Sequence, residues 1–203
     1  MQTYDNSTGH IIADIDGKRM LVDTGAAKTF YDEYQGVRIN DLSGMLGAPL
    51  DGVIGMDSLQ GKVLSLTRNT IGINGSSPVQ TGSPLTFVAG VPCVDMKING
   101  VPCRAAIKTG VLTSYIKEPL ISKDKHTRYV DDIHPMHGKY RVKMFVNYFS
   151  LCDKHYFTDA GVLPSEFSLL SSSGVDAIIG ADLLNRFDLV MDFSDNKLHL
   201  VSN

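Results

Sequence analysis

Short apolar runs, broken every few positions by Gly, Pro, Asn-Gly or Asp-Gly, fill most of the chain, and few stretches hold a helical period. Asp16-Gly17, Asn74-Gly75 and Asn99-Gly100 are dipeptides selected by two-residue hairpin turns, which need positive φ at both central positions. The pattern predicts a mostly β protein. Two brief helices are expected, in MDSLQG after Gly55 and in ADLLNRF after Gly180, with Asp57 and Asp182 placed to cap their first turns. From Lys139 to Asn147, Tyr140, Val142, Met144 and Val146 alternate with Lys139, Arg141 and Lys143, the pattern of a half-buried strand. With a turn at Pro135 to Gly138, this predicts a hairpin over about 126–149.

The segment 74–84, NGSSPVQTGSP, is the most linker-like in the chain and divides it into lobes at 1–76 and 77–203. The two halves repeat one another. HIIADIDGKRMLVDTGAAKTF (10–30) runs parallel to CVDMKINGVPCRAAIKTGVLTSY (93–115): a strand, a tight turn, an apolar strand, an x-Thr-Gly triplet, then a hydroxyl residue (Thr29, Ser114) followed by an aromatic one (Phe30, Tyr115). Further on, DGVIGMDSL (51–59) matches DAIIGADLL (176–184). The spacing from triplet to glycine is 23 to 55 in the first half and 108 to 180 in the second, so the second half holds an insertion at about 120–160.

Asp23-Thr24-Gly25 at the end of an apolar strand, followed by Val53-Ile54-Gly55, resembles the signature of the aspartic peptidases of the pepsin/retropepsin clan, and the repeat extends that resemblance over most of the chain. The resemblance implies an all-β fold of two pseudo-symmetric retropepsin-like lobes with few short helices and a central cleft. In that family each lobe contributes one Asp. One carboxyl stays protonated to polarise the scissile carbonyl while the other takes a proton from water, because like charges about 3 Å apart cannot both ionise. Thr24 and Thr109 would tie the loops together, and Gly25 and Gly110 would let them approach closely. Here the second triplet is Lys108-Thr109-Gly110. An ammonium about 4 Å from a carboxylate is worth about 4 kcal/mol at an effective dielectric of 20, which keeps both groups charged and leaves no carboxylic acid to share a proton.

Three outcomes are open from the residues alone. The site is catalytically impaired and its cleft kept for peptide binding; or two chains associate as a homodimer and rebuild an Asp23/Asp23 pair; or Asp23 acts as base with Lys108 as a cationic electrophile. Any ligand or substrate is expected to be polypeptide in extended form, added along strand edges. Residues 31–50 leave little room for a cleft-covering flap in the first lobe. The hairpin at 126–149 is the candidate cover in the second, with Tyr140 near its tip as a candidate substrate contact, or else a plain extension of the sheet.

At 203 residues, 43% hydrophobic and 20% charged, the chain suffices for one core or for two small lobes. A formal net charge of −3 gives no electrostatic reason to expect nucleic acid or an anionic membrane. No apolar run is long enough to span a bilayer, and the first residues carry no secretory pattern. With three cysteines, an odd number, this favours the cytoplasm without fixing the compartment. If Ile98 faces Val101 across the Asn99-Gly100 turn, Cys103 faces Met96 and not Cys93, so no bridge is expected. His126, His134, His137 and His155 are joined by no thiolate or carboxylate set at ligand spacing, and no metal or other cofactor is implied.

Overall fold

The structure, a computed structural model, describes residues 1–73, 82–122, 126–134, 138–164 and 172–202. Its strands are β1 (Gln2–Thr3), β2 (Ile12–Ile15), β3 (Lys18–Val22), β4 (Glu33–Tyr34), β5 (Val37–Arg38), β6 (Gly52–Ile54), β7 (Val63–Leu66), β8 (Thr70–Ile73), β9 (Ser83–Pro84) and β10 (Thr86–Val88). They continue as β11 (Val91–Ile98), β12 (Val101–Ile107), β13 (Tyr115–Ile116), β14 (His126–His134), β15 (Gly138–Leu151), β16 (Lys154–Val162), β17 (Ala177–Ile179), β18 (Phe187–Asp192) and β19 (Lys197–Ser202). Helix α1 spans Ile39–Leu46 and α2 spans Met56–Leu59; a 3-10 turn covers Ala181–Asn185.

The repeat read from sequence is a repeat of backbone. β2 and β3 form a hairpin around Asp16-Gly17 (φ 53° and 74°), and β3 then pairs in parallel with β6, Val22 opposite Ile54. β11 and β12 do the same around Asn99-Gly100 (φ 51° and 84°), and β12 pairs in parallel with β17, Ile107 opposite Ile179. Ile98 faces Val101 and Cys103 faces Met96, and all three cysteines are free. Burial pushes the Cys103 thiol up to about 12, so it behaves as a small apolar side chain.

The halves do not stand on separate sheets. In the order β1-β8-β7-β18-β19-β9, strands from both ends of the chain make one six-stranded sheet, with Met191 opposite Leu64 where the halves meet. One face of that sheet supplies Leu64, Leu66, Ile71, Leu189, Met191, Leu198 and Leu200 to the main core. The lobe boundary expected between residues 76 and 77 lies outside the described residues.

In the second half, β10-β11-β12-β17-β13-β16-β15-β14 form an eight-stranded sheet that curls until β11 also pairs with β15, Ile98 opposite Phe149. The hairpin expected at 126–149 is present as β14 and β15, Asp132 opposite Tyr140 and His134 opposite Gly138. Its turn, 135–137, lies outside the described residues, as do the side chains of His126 and His134.

Three expectations are corrected. The stripe Tyr140, Val142, Met144, Val146 is not continuous: Val142 and Met144 are buried, but from Phe145 onward the buried positions are Phe145, Asn147, Phe149 and Leu151 on the opposite face. The long strand leaves one core and enters another, because a curled sheet has two inner faces to fill. Helix α1 is an element that the sequence reading did not anticipate; it buries Ile39 and Leu42 beside Leu21 and Val53. Asp57 and Asp182 are not the N-cap residues, those positions being Gly55 and Gly180, although Asp57 accepts the first-turn N–H of Ser58 at 2.8 Å. Both carboxylates are engaged with the hydroxyls of the preceding loops.

Candidate active site

The x-Thr-Gly triplets follow β3 and β12 directly, and the parallel strands β6 and β17 fix where each loop begins. Asp23 N–H donates to Ile54 O at 3.0 Å, and Lys108 N–H donates to Ile179 O at 2.9 Å. Each loop then turns back, Ala26 N–H to Asp23 O at 3.1 Å and Val111 N–H to Lys108 O at 3.2 Å. The hydroxyl residue six positions after each x anchors the following glycine. Gly55 N–H donates to Thr29 Oγ1 (3.0 Å), which donates to Asp57 Oδ1 (2.8 Å); Gly180 N–H donates to Ser114 Oγ (3.2 Å), which donates to Asp182 Oδ1 (2.7 Å).

The loops are locked to one another by four reciprocal bonds. Thr24 Oγ1 donates to Ile107 O (2.6 Å) and accepts from Thr109 N–H (3.1 Å); Thr109 Oγ1 donates to Val22 O (2.8 Å) and accepts from Thr24 N–H (3.0 Å). Thr24 is 0% exposed and Thr109 2%, so losing either hydroxyl would strand two buried backbone groups.

Above this lock, Asp23 and Lys108 face each other across the pseudo-twofold axis, each side chain lying over the partner triplet's glycine. A Cβ on Gly110 would fall 2.3 Å from Asp23 Cγ, and one on Gly25 would fall 2.0 Å from Lys108 Cε. Asp23 Oδ1 and Lys108 Nζ both come within 3.0 Å of that second point. Glycine is required at both positions because any side chain would collide with the facing one. Asp23 Oδ1 also accepts the N–H of Gly25 (2.7 Å) and of Gly110 (3.2 Å), so each triplet contributes a donor to one carboxylate. A carboxyl group held by backbone donors beside a lysine is fixed in place; it can orient a polar group or take a proton, and the pair holds one carboxyl, not two.

All six triplet residues, Asp23, Thr24, Gly25, Lys108, Thr109 and Gly110, are thus brought together. Tyr140 has its hydroxyl 3.1 Å from that of Tyr115, whose O–H is bonded to the buried carboxylate of Asp132. Burial, then the bond to Asp132, raises Tyr115 well above the usual phenol range. The sequence reading missed His10, which is 8% exposed and lies within electrostatic reach of both Asp132 and Asp23. His155 stacks on Tyr148 and bonds Ser150 at 2.9 Å. No group of three or more His, Cys, Asp or Glu side chains capable of holding a metal is found among the described residues.

No protein-family model matches the chain, and no curated protein matches it by sequence. Solved structures do match. The chain is similar to an aspartic proteinase from Irpex lacteus, with a TM-score of 0.59 and 11% identity over 98% of this chain and 95% of that one. It is similar also to Basic 7S globulin from soybean, with a TM-score of 0.55 and 12% identity over 99% of this chain and 93% of that one. Likeness at such low identity is a statement about fold, and here it spans nearly the whole chain: the protein has the two-lobed, all-β fold of the aspartic proteinases.

Proposed function

We propose that this protein is an aspartic-peptidase homologue whose hydrolytic site is impaired and whose cleft is kept to bind polypeptide in extended form. One observation carries the reading: in a pseudo-symmetric pair of loops, Asp23 has Lys108 as its counterpart across the axis, each lying over the other's glycine. The acid–base chemistry of the fold needs one proton shared between two carboxyls. A lysine counterpart supplies an ammonium in place of the second carboxyl, so there is no partner carboxyl to share that proton. The two solved neighbours fit either outcome, one bearing a proteinase's name and the other a globulin's.

A second reading, hydrolysis with Asp23 as base and Lys108 as electrophile, rests on the same proximity. The homodimer with an Asp23/Asp23 pair is less well supported, because it would require the four intrachain bonds of Thr24 and Thr109 to be given up.

The test pairs binding with cleavage. Purified protein and Asp23→Asn are incubated with an unfolded protein from about pH 3 to 8 while affinity for an extended peptide library is measured alongside the mass in solution. The proposal expects peptide affinity in both forms and cleavage in neither. Cleavage by the wild type that is absent in Asp23→Asn overturns it; a monomeric mass would then assign the activity to Asp23/Lys108, and a dimeric mass to the paired Asp23 residues.

A further inference from the structure

Away from the triplets, the two halves differ in what covers their first hairpin. In the second half the inserted strands do so. β15 pairs with β11, Phe149 opposite Ile98 and Ser150 opposite Lys97. Phe149, Leu151 and Tyr156 then share the main core with Ile98, Ala105, Ile179 and Leu183, and Ile98 is 0% exposed. The first half has no such insertion. The counterparts of those four hairpin and loop positions in the repeat are Ile15, Met20, Ile54 and Ser58. All four line an open groove of about 610 Å³, floored further by Ile71 and Ile73 of β8. Ile15 is only half-buried. Among the described residues β2 pairs with β3 alone, apart from a bridge between Ile12 and Asp5. Leu21, next to Met20 on β3, packs with α1, so the groove lies on the side of the hairpin away from that helix.

We infer that this groove is a second polypeptide-binding site: an extended segment of another protein adds as a strand along Asp14–Ile15, lays a large apolar side chain on the floor beside Ile15, and sets a lysine or arginine opposite Asp14.

The edge, the floor and the rim each select that occupant. An unpaired strand edge offers its backbone groups to an incoming strand. Asp14 O accepts from the exposed Gln2 side chain at 2.8 Å, a donor that the N–H of a strand can replace. The floor of Ile15, Met20, Ile54, Ile71 and Ile73 rewards an aliphatic or aromatic side chain that covers it. Along β2 the rim is acidic: Asp14 and Asp16 are exposed and form no ion pair among the described residues, while Lys18 lies over the Tyr31 ring at 4.1 Å and Lys62 stands beyond α2. Opposite charges directly across a strand pair attract, so a basic residue is favoured opposite Asp14. In the antiparallel register that the second half displays, Phe149 opposite Ile98 is followed by Ser150 opposite Lys97. The partner of the first half accordingly reads apolar, then basic. This inference goes beyond the proposed function and does not depend on it, since no triplet residue lines the groove.

The probe is the peptide Val-Asn-Tyr-Phe-Lys-Leu, which is residues 146–151 of the chain with Ser150→Lys, titrated into nitrogen-15-labelled protein. Saturable shifts are expected at the amides of Asp14, Ile15 and Ile73 and not at Asp23, Gly25 or Gly110, with the same affinity in Asp23→Asn. Asp14→Lys should weaken binding by about three- to tenfold, and a peptide with glutamate in place of its lysine should regain the loss. N-methylation of alternate peptide residues should be tolerated in one phase and abolish binding in the other, because a strand pairs through one edge. No saturable shift at the groove up to millimolar peptide overturns the inference, as do shifts confined to the triplet loops or an affinity indifferent to the phase of N-methylation. A dimeric mass in sedimentation that Asp14→Lys returns to monomer would make the occupant a second copy of this chain and overturn it too. Should Asp14→Lys fold poorly, the peptide series on the wild type decides alone.

Discussion

The two triplet loops share their backbone bonds almost atom for atom and differ in what they do with charge. In the first half a half-buried Thr29 and an exposed Asp57 hold the buried Gly55; in the second Ser114, 3% exposed, and a half-buried Asp182 hold the buried Gly180. The first loop carries a carboxylate gripped by two backbone N–H groups, and the second a lysine that reaches over the opposite glycine. The side chains that lock and anchor the loops are those of Thr24, Thr109, Thr29 and Ser114, and the residue at x adds backbone N–H and C=O bonds that any residue other than proline can make. The same loop frame therefore accommodates Asp at x in one half and Lys at x in the other.

Replacing either threonine of the lock should produce the largest effect and should be symmetric. Thr24→Val and Thr109→Val each strand one buried carbonyl and one buried N–H, about 2–5 kcal/mol in urea unfolding. The double variant should cost less than the sum, because the bonds are shared. Unequal single costs would break the two-fold equivalence of the lock.

The glycines should then separate the halves. Gly110→Ala drives a methyl into Asp23 Cγ, a group fixed by two N–H donors, whereas Gly25→Ala meets the flexible end of Lys108. The first is expected to destabilise by about 1–3 kcal/mol and the second by clearly less. Equal losses would mean that the lysine is as rigidly held as the aspartate.

A smaller, pH-dependent difference is expected at the anchoring acids. Burial lifts Asp182 from 3.8 to about 6, opposed by its bonds from Ser114. The folded protein then keeps a proton that the unfolded chain has released, so this part of the stability is full below about pH 4 and is lost as pH rises through about 6. Asp182→Asn should flatten that fall in a series of thermal melts, by an amount moderated because the residue keeps some surface.

The features that repeat were the legible ones. Triplet, turn, hydroxyl and glycine recur in order in both halves, so comparing the halves located the two triplets, and the resemblance to the aspartic peptidases supplied the expectation that Thr24 and Thr109 tie them together. The features without a counterpart were not legible. Helix α1 shows Ile39, Leu42 and Leu46 at helical spacing with Gly47 at its end, a usable signal overlooked beside the dominant strand pattern. The face switch in β15 after Met144 follows from the sheet closing on itself, which alternation within one strand does not encode. Asp57 and Asp182 occupy cap-like positions in sequence, and only the returning loop reveals that Thr29 and Ser114 claim them. His10 lies 13 positions from Asp23 and far from Asp132 in sequence, and nothing local marks it.

The proposed function makes one side chain, Lys108, the difference between this scaffold and a hydrolytic one. The most direct measurement is the rate at which Lys108→Asp cleaves an unfolded protein at acid pH, set against the wild type and against Lys108→Asp with Asp23→Asn. We expect a gain of about 100-fold or more over a near-background wild type, abolished when Asp23 is also replaced. A wild type that already cleaves at a rate dependent on Asp23, and that Lys108→Asp does not improve, would contradict it.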